Sequence, residues 1–345
     1  MTAYHLVLTG YLGVEARRAQ AAAGLAPRHF LVELATALGG QIHEPDPAAS
    51  APARLLHRVL KTPPALIALA REVAARAGDT DVVFCLGEAA ALPLADELRR
   101  QRKATRLLSF GHNLRRPRIR AAQALSGCVA RIDRFFVFTH DAVSDPARFV
   151  HYTEQTDDRF FRPGDTPART RRARIVSVGL ERRDYVTLAE AVRGLDAQVN
   201  ISAFSKDALP GSRTRPAAPP PNWDMRFYEW PDLAALYRSA DLVVIPLEPS
   251  DYAAGITTLL EAAAAGCAVI ASDTGGLRDA FAAPDAVEWV RPGDAQALRR
   301  AISALLGDAG RRAELAAAAH AAQQAHHGLD ARVADMAAVL RALAD

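Results

Sequence analysis

"YAAGITTLLEAAAAGC" spans residues 252–267. Small residues and Gly255 lead into an apolar pattern at helical spacing, Gly266 stops it, and Glu261 is the only charge inside it. An ionised glutamate is rarely buried unpartnered, because desolvation is costly unless hydrogen bonds replace the lost water. The segment is therefore either a surface helix with one wet face or a buried helix whose carboxylate meets a ligand. Its flanks bear on the choice. "DLVVIPL" (241–247) precedes it and "AVIASD" (268–273) follows it, both continuous apolar runs of strand length. Such runs are buried on both faces, as in a parallel sheet covered by helices.

The same alternation extends along the chain. "YHLVLTG" (4–10), "DVVFCLG" (81–87), "TRLLSFG" (105–111) and "RFFVFT" (134–139) read as strands of a first half. "RIVSVG" (174–179), "VNISAF" (199–204) and "MRFYEW" (225–230) join the two flanking runs in a second. Helical patterns such as "RHFLVELATALGG", "EAAALPLADELRRQ" and "PDLAALYRSA" lie between them. Strand and helix in alternation predict an α/β chain with two parallel-sheet, Rossmann-like domains. The Pro/Gly/Arg-rich "RPGDTPARTRRAR" (162–174) reads as the linker and "LPGSRTRPAAPPPNW" (209–223) as a loop of the second domain. The expected divisions are 1–165, 166–328 and 329–345, the last a C-terminal helix able to pack back toward the first domain. Gly328 should separate two Ala-rich terminal helices. Tandem parallel sheets would put the carboxyl ends of their strands around a central cleft, where open α/β sheets bind ligands.

With 345 residues, half of them hydrophobic, the chain can form two cores. Cys85, Cys128 and Cys267 are far apart among apolar neighbours, so no zinc or disulfide framework is expected, and the thiols read as buried in a reducing cytoplasm. The start "MTAYHLVLTG" has no charged leader, and no apolar run has the roughly 18 residues of a spanning helix. Net charge is +3, yet ten Arg or Lys and no Asp or Glu occur between Leu98 and Ile132. Without a zinc-finger or RNA-recognition signature this is not read as nucleic-acid binding. A solvated face, a phosphorylated acceptor and contact with an anionic membrane surface remain as readings of that stretch.

No Gly-x-Gly-x-x-Gly follows the first strand, where "TGYLGV" offers Gly10 and Gly13, and no Walker loop occurs. The second half instead resembles retaining glycosyltransferases of family 4, which have the two-domain GT-B fold. The segments that carry the likeness are "TDDRFFRP" (156–163), "IVSVGLERRDYVTLAEAV" (175–192), "LAALYRSADLVVIPL" (233–247), "GITTLLEAAAAGCAVIASDTGGLRD" (255–279) and "VRPGDAQALRRAI" (290–302). In the first half only the architecture and "LLSFGHN" (107–113) match, where the family often has a histidine after a strand.

The resemblance implies a nucleoside diphosphate sugar donor of UDP or GDP type. Ala254, Gly255, Ile256, Thr257 and Thr258 would start a helix whose N-terminal N–H groups face the diphosphate or sugar hydroxyls. Glu261, one turn on, matches the glutamate that accepts hydrogen bonds from the ribose hydroxyls. The family's second glutamate, eight residues earlier, is Ala253 here, and Asp251 is the nearest substitute. The usual arginine after the "VG" turn is replaced by Leu180, so Arg182 or Arg183 is expected at the phosphates. Gly13, Lys206 and Trp230 are further donor-binding candidates, Trp230 bordering the base or packing as an ordinary aromatic. His112 is expected at the donor sugar.

The implied reaction is a retaining, metal-independent hexosyl transfer, with Arg182 and Arg183 stabilising the leaving diphosphate. The acceptor is an unidentified small molecule, glycan or lipid-linked compound, and "VEARRAQAAAGLAP" (14–27) reads as a mobile acceptor loop. Two alternatives stand beside it. One is a non-catalytic nucleotide-sugar-binding subunit supporting a partner enzyme, and the other is an epimerase of the same fold. The expected location is the cytoplasm, with peripheral contact at the inner membrane face.

Overall fold

The computed structural model describes residues 2–112, 114, 116–140, 145–164, 172–203, 213–214, 216–217 and 219–344. They form two compact units. The first holds Met1–Ala22, Arg28–Tyr152 and Asp330–Asp345, and the second holds Ala23–Pro27 and Thr153–Leu329. The first unit thus ends its main run at Tyr152, before the 162–174 stretch. Residues 165–171 of that stretch lie outside the described residues, and its end is already strand.

In the first unit, strands β1 (Tyr4–Val7), β2 (Gln41–His43), β3 (Val82–Cys85), β4 (Arg106–Phe110), β5 (Arg134–Val137) and β6 (Phe149–His151) form a parallel sheet in the order β2-β1-β3-β4-β5-β6. Helices α1 (Val14–Ala22), α2 (Phe30–Leu38), α3 (Leu55–Leu60), α4 (Pro64–Arg76), α5 (Glu88–Arg100) and α6 (Pro117–Ser126) connect them. The 14–27 stretch, expected as a loop, is helical over Val14–Ala22. Ala and Arg suit a helix, and the carboxylate of Glu44 caps its start.

The second sheet contains β7 (Ala173–Val178), β8 (Ala197–Ser202), β9 (Trp223–Arg226), β10 (Leu242–Ile245), β11 (Val269–Ser272) and β12 (Glu288–Val290). All its pairings are parallel, in the order β12-β11-β10-β7-β8-β9. Helices α7 (Tyr185–Val192), α8 (Trp230–Arg238), α9 (Ile256–Ala264), α10 (Gly275–Ala280), α11 (Ala295–Gly307) and α12 (Ala309–His326) follow, and α13 (Leu329–Ala342) comes after Gly328.

The apolar runs behave as double-sided cores require. Along β10, Val243 and Ile245 enter one cluster with α8 and α9, while Leu242 and Val244 enter the other with α7 and α11. Ala262, Ala263 and Ala264 of α9 are fully buried, and small side chains let α12 approach through Ala319 and Ala322. All three cysteines are free and buried. Among the described residues, no helix is long and apolar enough to cross a membrane.

Candidate functional site

Counted within its own unit, the second sheet runs sixth, fifth, fourth, first, second, third, so its order reverses between β7 and β10. Open α/β sheets bind ligands beyond the carboxyl ends of the strands at such a reversal. Here that place is made by the loop after β7 and the loop after β10. They are laced together: Asp184 N–H donates to the Pro246 carbonyl at 2.9 Å, and Glu248 N–H donates to Arg182 at 2.9 Å. Asp184 also caps α7, accepting from Thr187 N–H at 2.9 Å, and it pairs with Arg213 at 2.9 Å.

This lacing separates the two candidate arginines. Arg182 takes a left-handed backbone (φ 56°), and its guanidinium turns to Glu248 at 3.4 Å and the Pro249 carbonyl at 2.6 Å. Arg183 turns inward and is 4% exposed. It donates to the Val178 carbonyl at 2.8 Å, the Glu181 carbonyl at 3.0 Å and Thr258 Oγ1 at 2.9 Å. Gly179 is glycine for this reason: its φ is 101°, and a Cβ would lie 2.7 Å from Arg183 Nη2. No carboxylate among the described residues forms an ion pair with Arg183. Burial pushes its pKa below the ordinary arginine value, partly offset by Tyr185, Tyr237, Glu181 and Tyr252.

Gly255 is the N-cap of α9, with φ 91°. Of the first-turn residues, Ile256 and Thr258 are buried and Thr257 is exposed, while Ala254 packs into the core. One turn on, Glu261 is buried at 6% exposure, and its Oε2 accepts the Tyr237 hydroxyl at 2.8 Å. Burial raises its carboxyl to about 7, although Tyr237 and Arg183 both work to lower it. Ala253 is half-buried and Asp251 exposed. Tyr252 donates to Glu181 Oε1 at 2.7 Å at the rim. Trp230 opens α8, half-buried and edge-on to Phe161 at 6.4 Å. Lys206 lies outside the described residues.

His112 and Gly13 belong to the first unit. His112 follows β4, half-exposed, with Nδ1 3.5 Å from Glu88 Oε2 and its backbone N–H donating to the same oxygen at 3.2 Å. Burial works to raise the Glu88 carboxyl, but these contacts hold it below the ordinary glutamate value. Gly13 N–H donates to Glu44 Oε2 at 2.8 Å, as does Leu12 N–H at 2.9 Å, while Val14 N–H reaches Oε1 at 3.2 Å.

The structure thus gathers Arg183, Gly255, Thr258 and Glu261 at one strand reversal. It adds residues the sequence did not mark: Tyr237, Glu181 and Tyr252 in this unit, Glu44 and Glu88 in the other. Tyr237 had a signal, a hydroxyl-bearing aromatic within an apolar helix face, but core packing explains such a residue equally well.

Comparison with known proteins bears on the second unit and on the fold. Residues 172–308 match the family model of glycosyl transferases group 1. Over 85 residues the chain is 44% identical to a D-inositol 3-phosphate glycosyltransferase of Salinispora tropica, a stretch that spans 25% of this chain and 17% of that protein. Sucrose-phosphate synthase from Thermosynechococcus elongatus resembles it with a TM-score of 0.70 at 17% identity over 99% of both chains. The α,α-trehalose 6-phosphate synthase of Burkholderia multivorans gives 0.73 at 15% identity over 100% of this chain and 99% of that one. Anabaena HepE, solved with UDP and glucose, gives 0.65 at 13% identity over 98% and 99%. At such identities the structural likeness bears on fold, whereas the family model bears on the second unit directly. Residues 172–308 thus match a group 1 glycosyltransferase domain, and the chain shares the two-domain GT-B fold of these structures.

Proposed function

We propose that the protein is a retaining glycosyltransferase that moves a hexosyl unit from a nucleoside diphosphate sugar, of UDP or GDP type, to a hydroxyl-bearing acceptor. The observation that carries this reading is Arg183, a buried guanidinium beside the N-terminus of α9 that forms no ion pair with a carboxylate among the described residues. A buried charge is expensive unless compensated, and a diphosphate supplies the missing negative charge. The N-terminal turn of α9 adds its dipole to the same place. As the glycosidic bond breaks, negative charge grows on the leaving diphosphate, and pre-placed positive groups stabilise it without rearranging. Arg183 and α9 would then do the work a divalent ion does elsewhere. Glu261 would hold the ribose. The phosphate-bearing names of three relatives make phosphorylated sugars and polyols the first acceptors to screen.

Titration with UDP, GDP and ADP, read by calorimetry and thermal shift, tests the proposal. One diphosphate should bind and raise the unfolding temperature, and Arg183→Ala should lose at least tenfold in affinity (about 1.4 kcal/mol). Absence of binding by all three would end it. A second reading, a nucleotide-sugar-binding subunit without its own turnover, is favoured by Ala253 where the family has its second glutamate. Donor binding without donor hydrolysis or transfer to any screened acceptor would select it.

A further inference from the structure

Tyr237 is fully buried on α8 and fixed at several points. Its hydroxyl donates to Glu261 Oε2 at 2.8 Å, its carbonyl accepts from Cys267 Sγ at 3.1 Å, and its ring lies edge-on to Phe161 at 5.9 Å. A carboxylate held through one oxygen cannot rotate freely, so the position of the other is fixed as well. Glu261 Oε1 has no partner among the described residues, nor is it sealed among the buried unpaired atoms.

We propose that Tyr237 is a positioning residue for donor binding: by occupying Oε2 it sets the rotation of the Glu261 carboxylate and leaves Oε1 as the single oxygen offered to a ribose hydroxyl. This rests on the nucleotide-sugar reading above. Among the described residues, Tyr237 from α8 and Arg183 from the loop after β7 act on Glu261, while Cys267, from the turn before β11, reaches the Tyr237 carbonyl. On α12, which packs against α9, His320 Nδ1 is bound to the Ala263 carbonyl at 3.0 Å, and β10 brings only apolar side chains. Burial raises the carboxyl to about 7 while the Tyr237 hydrogen bond lowers it, so losing the phenol hydroxyl raises it further and depletes the ionised form at neutral pH.

Tyr237→Phe keeps the ring and removes the hydroxyl. Calorimetric affinities for UDP, GDP and their 2′-deoxy counterparts, from about pH 6 to about pH 9, decide the matter. The wild type should prefer the ribonucleotide about tenfold over its deoxy form, and Tyr237→Phe should cut that preference to about twofold and move the pH midpoint of binding upward. If the folded variant keeps both the preference and the midpoint, Tyr237 is only a packing residue and the nucleotide-sugar reading still stands. If the wild type binds no nucleoside diphosphate, that reading falls and takes this inference with it. Should Tyr237→Phe not fold, 3-fluorotyrosine at position 237, a stronger donor, must move the midpoint downward. An unmoved midpoint overturns the proposal.

Discussion

Arg183 Nη2 donates to Thr258 Oγ1 at 2.9 Å, joining the loop after β7 to the first turn of a helix 75 residues further along. Thr258 is a side-chain acceptor of this buried cation, which also donates to the main-chain carbonyls of Val178 and Glu181. Thr258→Val keeps the shape and removes the acceptor. The cost of leaving a charged donor unpaired is about 1–3 kcal/mol. Urea denaturation should show that loss, nucleoside diphosphate affinity should fall with it, and Thr258→Ser should restore both. Unchanged stability in Thr258→Val would mean that the bond contributes nothing.

Gly255 answers to packing as well as to any ligand. Its φ is 91°, and a Cβ there would lie 2.9 Å from Ile245 Cγ2 on the neighbouring strand. Gly255→Ala must therefore strain the backbone and displace a core side chain, at about 1–3 kcal/mol. The denaturation midpoint should drop accordingly. An unaltered midpoint would show that the turn has room to relax.

Glu44 spends its carboxylate on three successive backbone N–H groups at the start of α1, those of Leu12, Gly13 and Val14. Gly13 N–H is thus already bonded within the chain. Glu44→Ala should cost about 1–3 kcal/mol and speed amide exchange at residues 12–14 well above the rest of the unit. Exchange that stays as slow as in the wild type would assign the loop's order to other contacts.

Acid should destabilise the protein through two histidines. Burial, aided by Arg17, holds His29 at about 4, and burial, aided by His5 and Arg76, holds His43 there too, against 6.5 for the free side chain. The unfolded chain takes up protons in that window that the folded chain refuses, so stability present above 6.5 is lost as pH falls toward 4. Glu261 opposes this. Its carboxyl is raised from 4.5 to about 7, so its contribution is present below 4.5 and lost as pH rises to 7. Two histidines against one carboxyl leave a net loss on acidification. Thermal unfolding should occur several degrees lower at about pH 5 than at about pH 7, and Glu261→Gln should widen the gap. A flat profile in the wild type would refute the assignment.

Some elements could not have been read from the chain alone. Strands β2, β6 and β12 are three residues each, too short for a period to show. The run "MRFYEW" suggested a strand at 225–230, whereas β9 is Trp223–Arg226 and the chain leaves it for α8. Aromatic β-propensity extended the expectation past the turn because pairing with β8, rather than propensity, ends the strand.

What the sequence settles by itself is local and periodic. The fully buried run Leu242–Ile245 declares a strand covered on both faces, and Gly255 followed by Ile256–Ala264 declares a capped helix, since hydrophobic spacing and a left-handed glycine act over a few residues. Which of two adjacent arginines turns inward was decided only when the reversed strand order set the loop after β7 beside the loop after β10, giving Arg182 a carboxylate and Arg183 a threonine. The partner of Glu261 was likewise chosen in three dimensions: Tyr237 is 24 residues away and reaches it because α8 and α9 pack together beside the same sheet. Periodicity fixes which face of an element is buried, but parallel crossovers fix what that face meets.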